Sequence, residues 1–215
     1  MKKISFTVFL LLTSTVLQAK EWAFDVYLDK NKIGTHTFTF NDGVLVSRAK
    51  FNVKVLFIEA YKYDHSAREL WAGDCLSTLE AYTSENKAIT KVTAKLDGEG
   101  LNIKNGSTIQ VLPNCVMTFA YWNPKILEQS RLLNPQNAEY LDTTISKLGN
   151  TSLDVKGKQT DTTHYKITGR LKGINKLDIE LWYNQENDWV ALKSVTPEGY
   201  NIIYKVKWDQ GVENY

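Results

Sequence analysis

Apolar and polar side chains alternate at a period of two along most of this chain. Trp22, Phe24, Val26 and Leu28 alternate with Ala23, Asp25 and Tyr27, and His36, Phe38 and Phe40 with Thr35, Thr37 and Thr39. Leu45, Ala49, Phe51, Val53 and Val55 share one parity, as do Leu177, Ile179, Leu181 and Tyr183, and then Tyr200, Ile202, Tyr204, Val206 and Trp208. A helix cannot gather such residues on one side, whereas a strand with one dry and one wet face requires the pattern. Turn chemistry separates the runs: Asn41-Asp42-Gly43, Asn86-Lys87, Asp97-Gly98, Asn105-Gly106, Leu148-Gly149-Asn150 and Pro197-Glu198-Gly199. Short strands joined by tight turns describe a single antiparallel meander. We expect about ten to twelve strands, enough for the sheet to curl into a barrel or half-barrel.

One segment breaks the alternation. Pro113-Asn114-Cys115 leads into the apolar run Val116 to Trp122, and Asn123-Pro124 opens a second run containing Ile126, Leu127 and Leu133. Asn is a good helix cap and Pro suits the first helical position. This predicts a short helical insert, one or two helices over residues 115–133, packed on the sheet.

Residues 1–19 have the layout of a secretory signal peptide. Lys2 and Lys3 precede an apolar stretch from Ile4 to Val16, and Ala19 offers a small residue at the cleavage edge. The stretch is too short to span a bilayer. We expect cleavage near Ala19, one β domain over 20–215, and a periplasmic location with no membrane-spanning segment after processing. Cleavage would leave 24 basic against 24 acidic residues, so nothing in the charge favours nucleic acid or an anionic membrane. In an exported chain the two cysteines, Cys75 and Cys115, read as a disulfide. The bridge would fix the insert to the sheet just after Trp71.

Catalytic signatures are absent. There is no G-x-S-x-G elbow, no glycine-rich phosphate loop and no C-x-x-C pair. The histidines and carboxylates lack the spacing of a metal site, and no cofactor is implied. The informative stretch is Phe57 to Trp71. Its even positions include Lys62, Asp64 and Arg68, which belong in water. The odd positions therefore turn inward, carrying Phe57, Tyr61, Tyr63 and Trp71 together with Glu59, His65 and Glu69. An apolar interior does not accept unpaired carboxylates. Either these groups are paired near a strand end, or this face lines a cavity with polar edges.

The string Phe119-Ala120-Tyr121-Trp122-Asn123-Pro124, with Asn134-Pro135-Gln136 after it and Phe57-Ile58-Glu59-Ala60-Tyr61 before it, resembles an uncharacterised family of exported proteins from Gram-negative bacteria. That family is known only as a domain of unknown function, and no catalytic residue carries over from it. More distantly, a curled sheet with short helices is similar to periplasmic lipoprotein carriers of the localisation-factor type. The resemblance implies export and a β fold.

Together these features favour a binding or carrier protein for an apolar or amphipathic small molecule, lipids included, held in the concavity of the sheet. Tyr61, Tyr63, His65 and Trp71 would form one wall, His36 and Phe38 another, and Tyr121 and Trp122 a lid, because ligand pockets combine aromatic walls with a few polar groups. Two alternatives stand beside this one. The first is a structural or assembly protein that binds another exported protein. The second is a small-molecule enzyme using His65 with Glu59 or Glu69.

Overall fold

A computed structural model describes residues 19–55, 58–196 and 198–207, with the side chains of residues 54–59 outside the description. Residues 1–18 of the predicted signal peptide 1–19, Phe57 and Trp208 lie outside the described residues, as does the side chain of Glu59. The first eight strands are β1 (Lys20–Leu28), β2 (Asn31–Asn41), β3 (Val44–Val55), β4 (Ile58–Ala72), β5 (Cys75–Glu85), β6 (Ala88–Leu96), β7 (Leu101–Asn105) and β8 (Thr108–Leu112). After the insert come β9 (Arg131–Leu133), β10 (Tyr140–Val155), β11 (Lys158–Leu171), β12 (Ile174–Asn184), β13 (Trp189–Val195) and β14 (Asn201–Val206).

All fourteen strands form one sheet in the order β8-β7-β6-β5-β4-β3-β2-β1-β14-β13-β12-β11-β10-β9. Every neighbour is antiparallel, so the meander is complete apart from the β1–β14 seam that joins the two halves. The sheet curls without closing. Its edges are linked by side chains instead of a ladder: Asn105 Nδ2 donates to the Asn137 carbonyl at 2.8 Å and Gln110 Nε2 to that of Ala138 at 2.7 Å.

The inward parity is the one the alternation predicts. Trp22, Phe24, Val26, Phe38, Leu45, Tyr63, Ala67 and Trp71 are buried, while Lys62, Asp64 and Arg68 are exposed. Fully burying an apolar side chain such as Phe24 or Leu79 stabilises the fold by about 1.5–3 kcal/mol each. The hairpins turn on residues with positive φ, such as Asn86 and Lys87 between β5 and β6. Leu148-Gly149-Asn150 is not a turn, as the sequence suggested. It lies within β10, where the register with β11 shifts between Lys147 and Gly149, a bulge that a glycine at φ 139° accommodates. The hairpin turns instead at Lys156 and Gly157.

The insert corrects the sequence reading more substantially. Only Pro124–Glu128 is helical, and it is a 3₁₀ turn capped by the Asn123 side chain, which accepts from the Lys125 amide. Val116, Met117, Thr118 and Ala120 are consecutive or nearly so, yet all are buried. A segment enclosed on every side gains nothing from helical amphipathicity, and its backbone bonds neighbouring chains instead. Leu76 N–H donates to the Val116 carbonyl at 2.9 Å, Leu133 N–H to Met117 at 2.9 Å and Phe119 N–H to Leu133 at 3.1 Å. Thr118 and Leu133 thus form a short parallel bridge inside the curl. The Cys75–Cys115 disulfide anchors the start of this strap, with a Cα–Cα distance of 4.8 Å.

Candidate functional site

The strap's aromatic residues close one end of the curled sheet. Trp122 stacks on Phe40 at 4.5 Å, meets Trp71 edge-on at 5.5 Å and lies 6.1 Å from Trp22. Tyr121 packs on Trp189 at 5.2 Å, and its carbonyl accepts the Tyr183 hydroxyl at 2.7 Å. These residues sit where β1 begins, β2 ends and β4 ends. Among the described residues the opposite end, where β1 and β3 end and β4 begins, is open.

A cavity of about 570 Å³ lies at that open end. Leu28, Ile33, Phe51, Val53 and Ile202 give it an apolar lining, and Tyr61, Tyr63 and Tyr204 contribute hydroxyls. The register explains the convergence. Phe51 pairs with Tyr63 across β3 and β4, and their rings stack at 5.1 Å; Val26 pairs with Tyr204 across the seam and with Gly34 on the other side. Gly34 has no alternative here, because a Cβ would lie 1.9 Å from the Lys50 carbonyl oxygen.

His36 reaches the inner part of this cavity and is 9% exposed. Its Nδ1 is 3.1 Å from the Tyr204 hydroxyl, while among the described residues its Nε2 has no hydrogen-bond partner. Burial, with the neighbouring His65, pushes its pKa down to about 3, so the ring is neutral. His65 stands two strands away in the same row, across the small Ala49. It bonds the Thr83 hydroxyl at 2.9 Å, and burial lowers its pKa to about 4. It lies behind the cavity wall and is not among the lining residues.

Glu69 has partners of its own. Its Oε2 accepts the Trp71 indole N–H at 3.0 Å and the Thr118 hydroxyl at 3.3 Å, which ties β4 to the strap. Complete burial pushes its pKa up to about 7, with both hydrogen bonds opposing the shift. His65 and Glu69 therefore have separate partners and do not form an acid–base pair. Among the described residues no three His, Cys, Asp or Glu side chains converge as metal ligands.

Of the residues singled out from sequence, Tyr61, Tyr63 and His36 line one cavity, and His65 lies just behind it. Phe38 and Trp71 belong to the core, and the partly buried Trp122 packs against it at the closed end, away from the cavity lining. Tyr121 packs on Trp189 and is not among the lining residues of the cavity. Sequence reasoning put Phe51, Val53, Ile202 and Tyr204 on the inward parity without gathering them into a site. Glu85 and Glu198, which also line the cavity, carried no signal beyond their turns.

Comparison with known proteins agrees with this architecture. The crystal structure of the beta-barrel-like protein of domain of unknown function DUF1849 from Brucella abortus matches with a TM-score of 0.64. The match covers 90% of this chain and 97% of that one at 11% identity, so the likeness concerns the fold alone. No helix among the described residues is long and apolar enough to cross a membrane. None of the curated proteins matches the sequence. The family model described as Domain of unknown function (DUF6134) matches residues 24–207, from within β1 to just past the end of β14, and the chain belongs to that family.

Proposed function

We propose that this protein is an exported, periplasmic binding or carrier protein for an amphipathic small molecule. The observation that carries this reading is the cavity of about 570 Å³, within the size range of small-molecule pockets and lined by apolar and aromatic side chains with a few polar groups. The strap closes the other end, so a ligand would enter where β1 ends and β14 begins. The disulfide and the signal-like leader support export. Titration with alkyl-chain probes, followed by NMR, tests the reading. Shifts confined to residues such as Tyr61, Tyr63 and Ile202 are expected; shifts at Trp71 and Trp122, or none at all, would refute it.

A second reading, an assembly protein that binds another exported chain, is favoured by one feature. Ile109 and Val111 are exposed at 67% and 52% on the edge strand β8. Exposed apolar residues on a sheet edge invite pairing with another chain. Site-specific crosslinking from residue 109 in cells would trap a defined partner if this reading holds, and only background if it does not.

A further inference from the structure

We infer that the cavity is built for an organic cation on an apolar body, such as a protonated or quaternary amine. This rests on the binding reading above and names the chemistry of its ligand. Among the described residues the lining carries two carboxylates, Glu85 and Glu198, and neither lysine nor arginine. Neither glutamate has a cation within ion-pair distance among the described residues. Glu85 is held in place by the Tyr61 hydroxyl, which donates to its Oε1 at 3.1 Å.

Aromatic rings stand beside these charges. Tyr61 and Tyr63 are stacked with centroids 6.4 Å apart, Phe51 stacks on Tyr63, and Tyr204 meets Phe51 edge-on at 6.5 Å. Ring faces carry negative potential and attract ammonium groups, most strongly where water is scarce. Burial raises the pKa of Tyr61, Tyr63 and Tyr204, so these hydroxyls remain neutral donors and acceptors. Further in, the neutral His36 lines the cavity, and among the described residues its buried Nε2 has no hydrogen-bond partner. A fatty carboxylate or another net anion would meet two like charges here, with no cation among the described lining residues to offset them. An ammonium would meet only favourable groups.

Calorimetric titration of the full chain with octyltrimethylammonium, octyl glucoside and octanoate tests the assignment. The ammonium is expected to bind at least tenfold more tightly than octanoate, with the neutral glucoside between. Glu85→Gln combined with Glu198→Gln, both exposed positions, should bring the ammonium to the level of the glucoside. Equal affinity for ammonium and octanoate, or no effect of the double substitution, would overturn the cation assignment and leave the binding reading intact. No binding of any of the three would remove the binding reading itself. Choline alone and a choline lysophospholipid, run alongside, separate a free amine from a lipid headgroup as the source, and binding of either supports the assignment.

Discussion

His36 and Tyr204 are 168 residues apart in sequence, yet Nδ1 of one lies 3.1 Å from the hydroxyl of the other, across β1 at the inner end of the cavity. The site exists only because the seam between β1 and β14 brings the two halves of the meander together. It also removes the imidazole from water, and this has a consequence for stability.

In the unfolded chain His36 and His65 titrate at the ordinary 6.5, but in the fold only at about 3 and about 4. Below pH 6.5 the unfolded state takes up protons that the native state refuses, so stability falls on acidification by up to about 1.4 kcal/mol per pH unit for each histidine. Glu69 acts in the opposite sense. Its pKa rises from 4.5 to about 7, so its contribution is complete below 4.5 and is lost as pH rises through 7. Between pH 4.5 and 6.5 the two histidines outweigh the single carboxyl. Urea unfolding should show stability rising with pH there by about 1.4 kcal/mol per unit, and about twice as steeply in Glu69→Gln. A flat profile in both proteins would contradict these assignments.

The Cys75–Cys115 bridge closes a loop spanning 40 positions and pins the strap beside the Leu76–Val116 hydrogen bond. Replacing both cysteines with serine should cost about 4 kcal/mol on the chain-entropy model. For a domain of this size that is a fall in Tm on the order of 10 °C by calorimetry. Hydrogen exchange at Leu76 and Leu133 should quicken. An unchanged Tm would mean that packing alone holds the strap.

Gly34→Ala would drive a methyl group into the Lys50 carbonyl, and β2 and β3 would have to separate beside the cavity. A loss of about 3 kcal/mol or more in urea unfolding is expected, at or above the upper end for overpacking. Gly98→Ala is the control: its Cβ meets nothing within 4 Å, and its effect should stay within about 0.5 kcal/mol. Equal effects at the two positions would refute the close-approach argument.

Much of the fold was legible because strand parity is a local property. Lys62, Asp64 and Arg68 identify the wet face of β4 without reference to any other strand. Parity reports the face but not the height along the barrel, and this is why the expected site mixed two ends. His36 and Phe38 share a face, yet two residues along a strand is a displacement of about 7 Å. That step separates a cavity residue from one packed against Trp189 in the core. The strap failed for a different reason. An apolar run that is buried all round has no periodicity to read, so Val116 to Trp122 fits a buried helix and an extended plug equally well. Cap chemistry at Asn123-Pro124 was read correctly, but it opens only a single 3₁₀ turn. The approach of Tyr204 to His36 depends on how far the sheet curls, which no local pattern encodes.

The binding account stands or falls on whether the open end of the barrel holds a ligand. Native mass spectrometry of the protein purified from its host, compared with Ile202→Trp at the cavity wall, measures this directly. The expected result is one non-protein adduct on the unaltered protein, displaceable by an alkylammonium probe and absent from the tryptophan variant with its fold retained. Apo masses for both proteins, or the same adduct on both, would contradict the account.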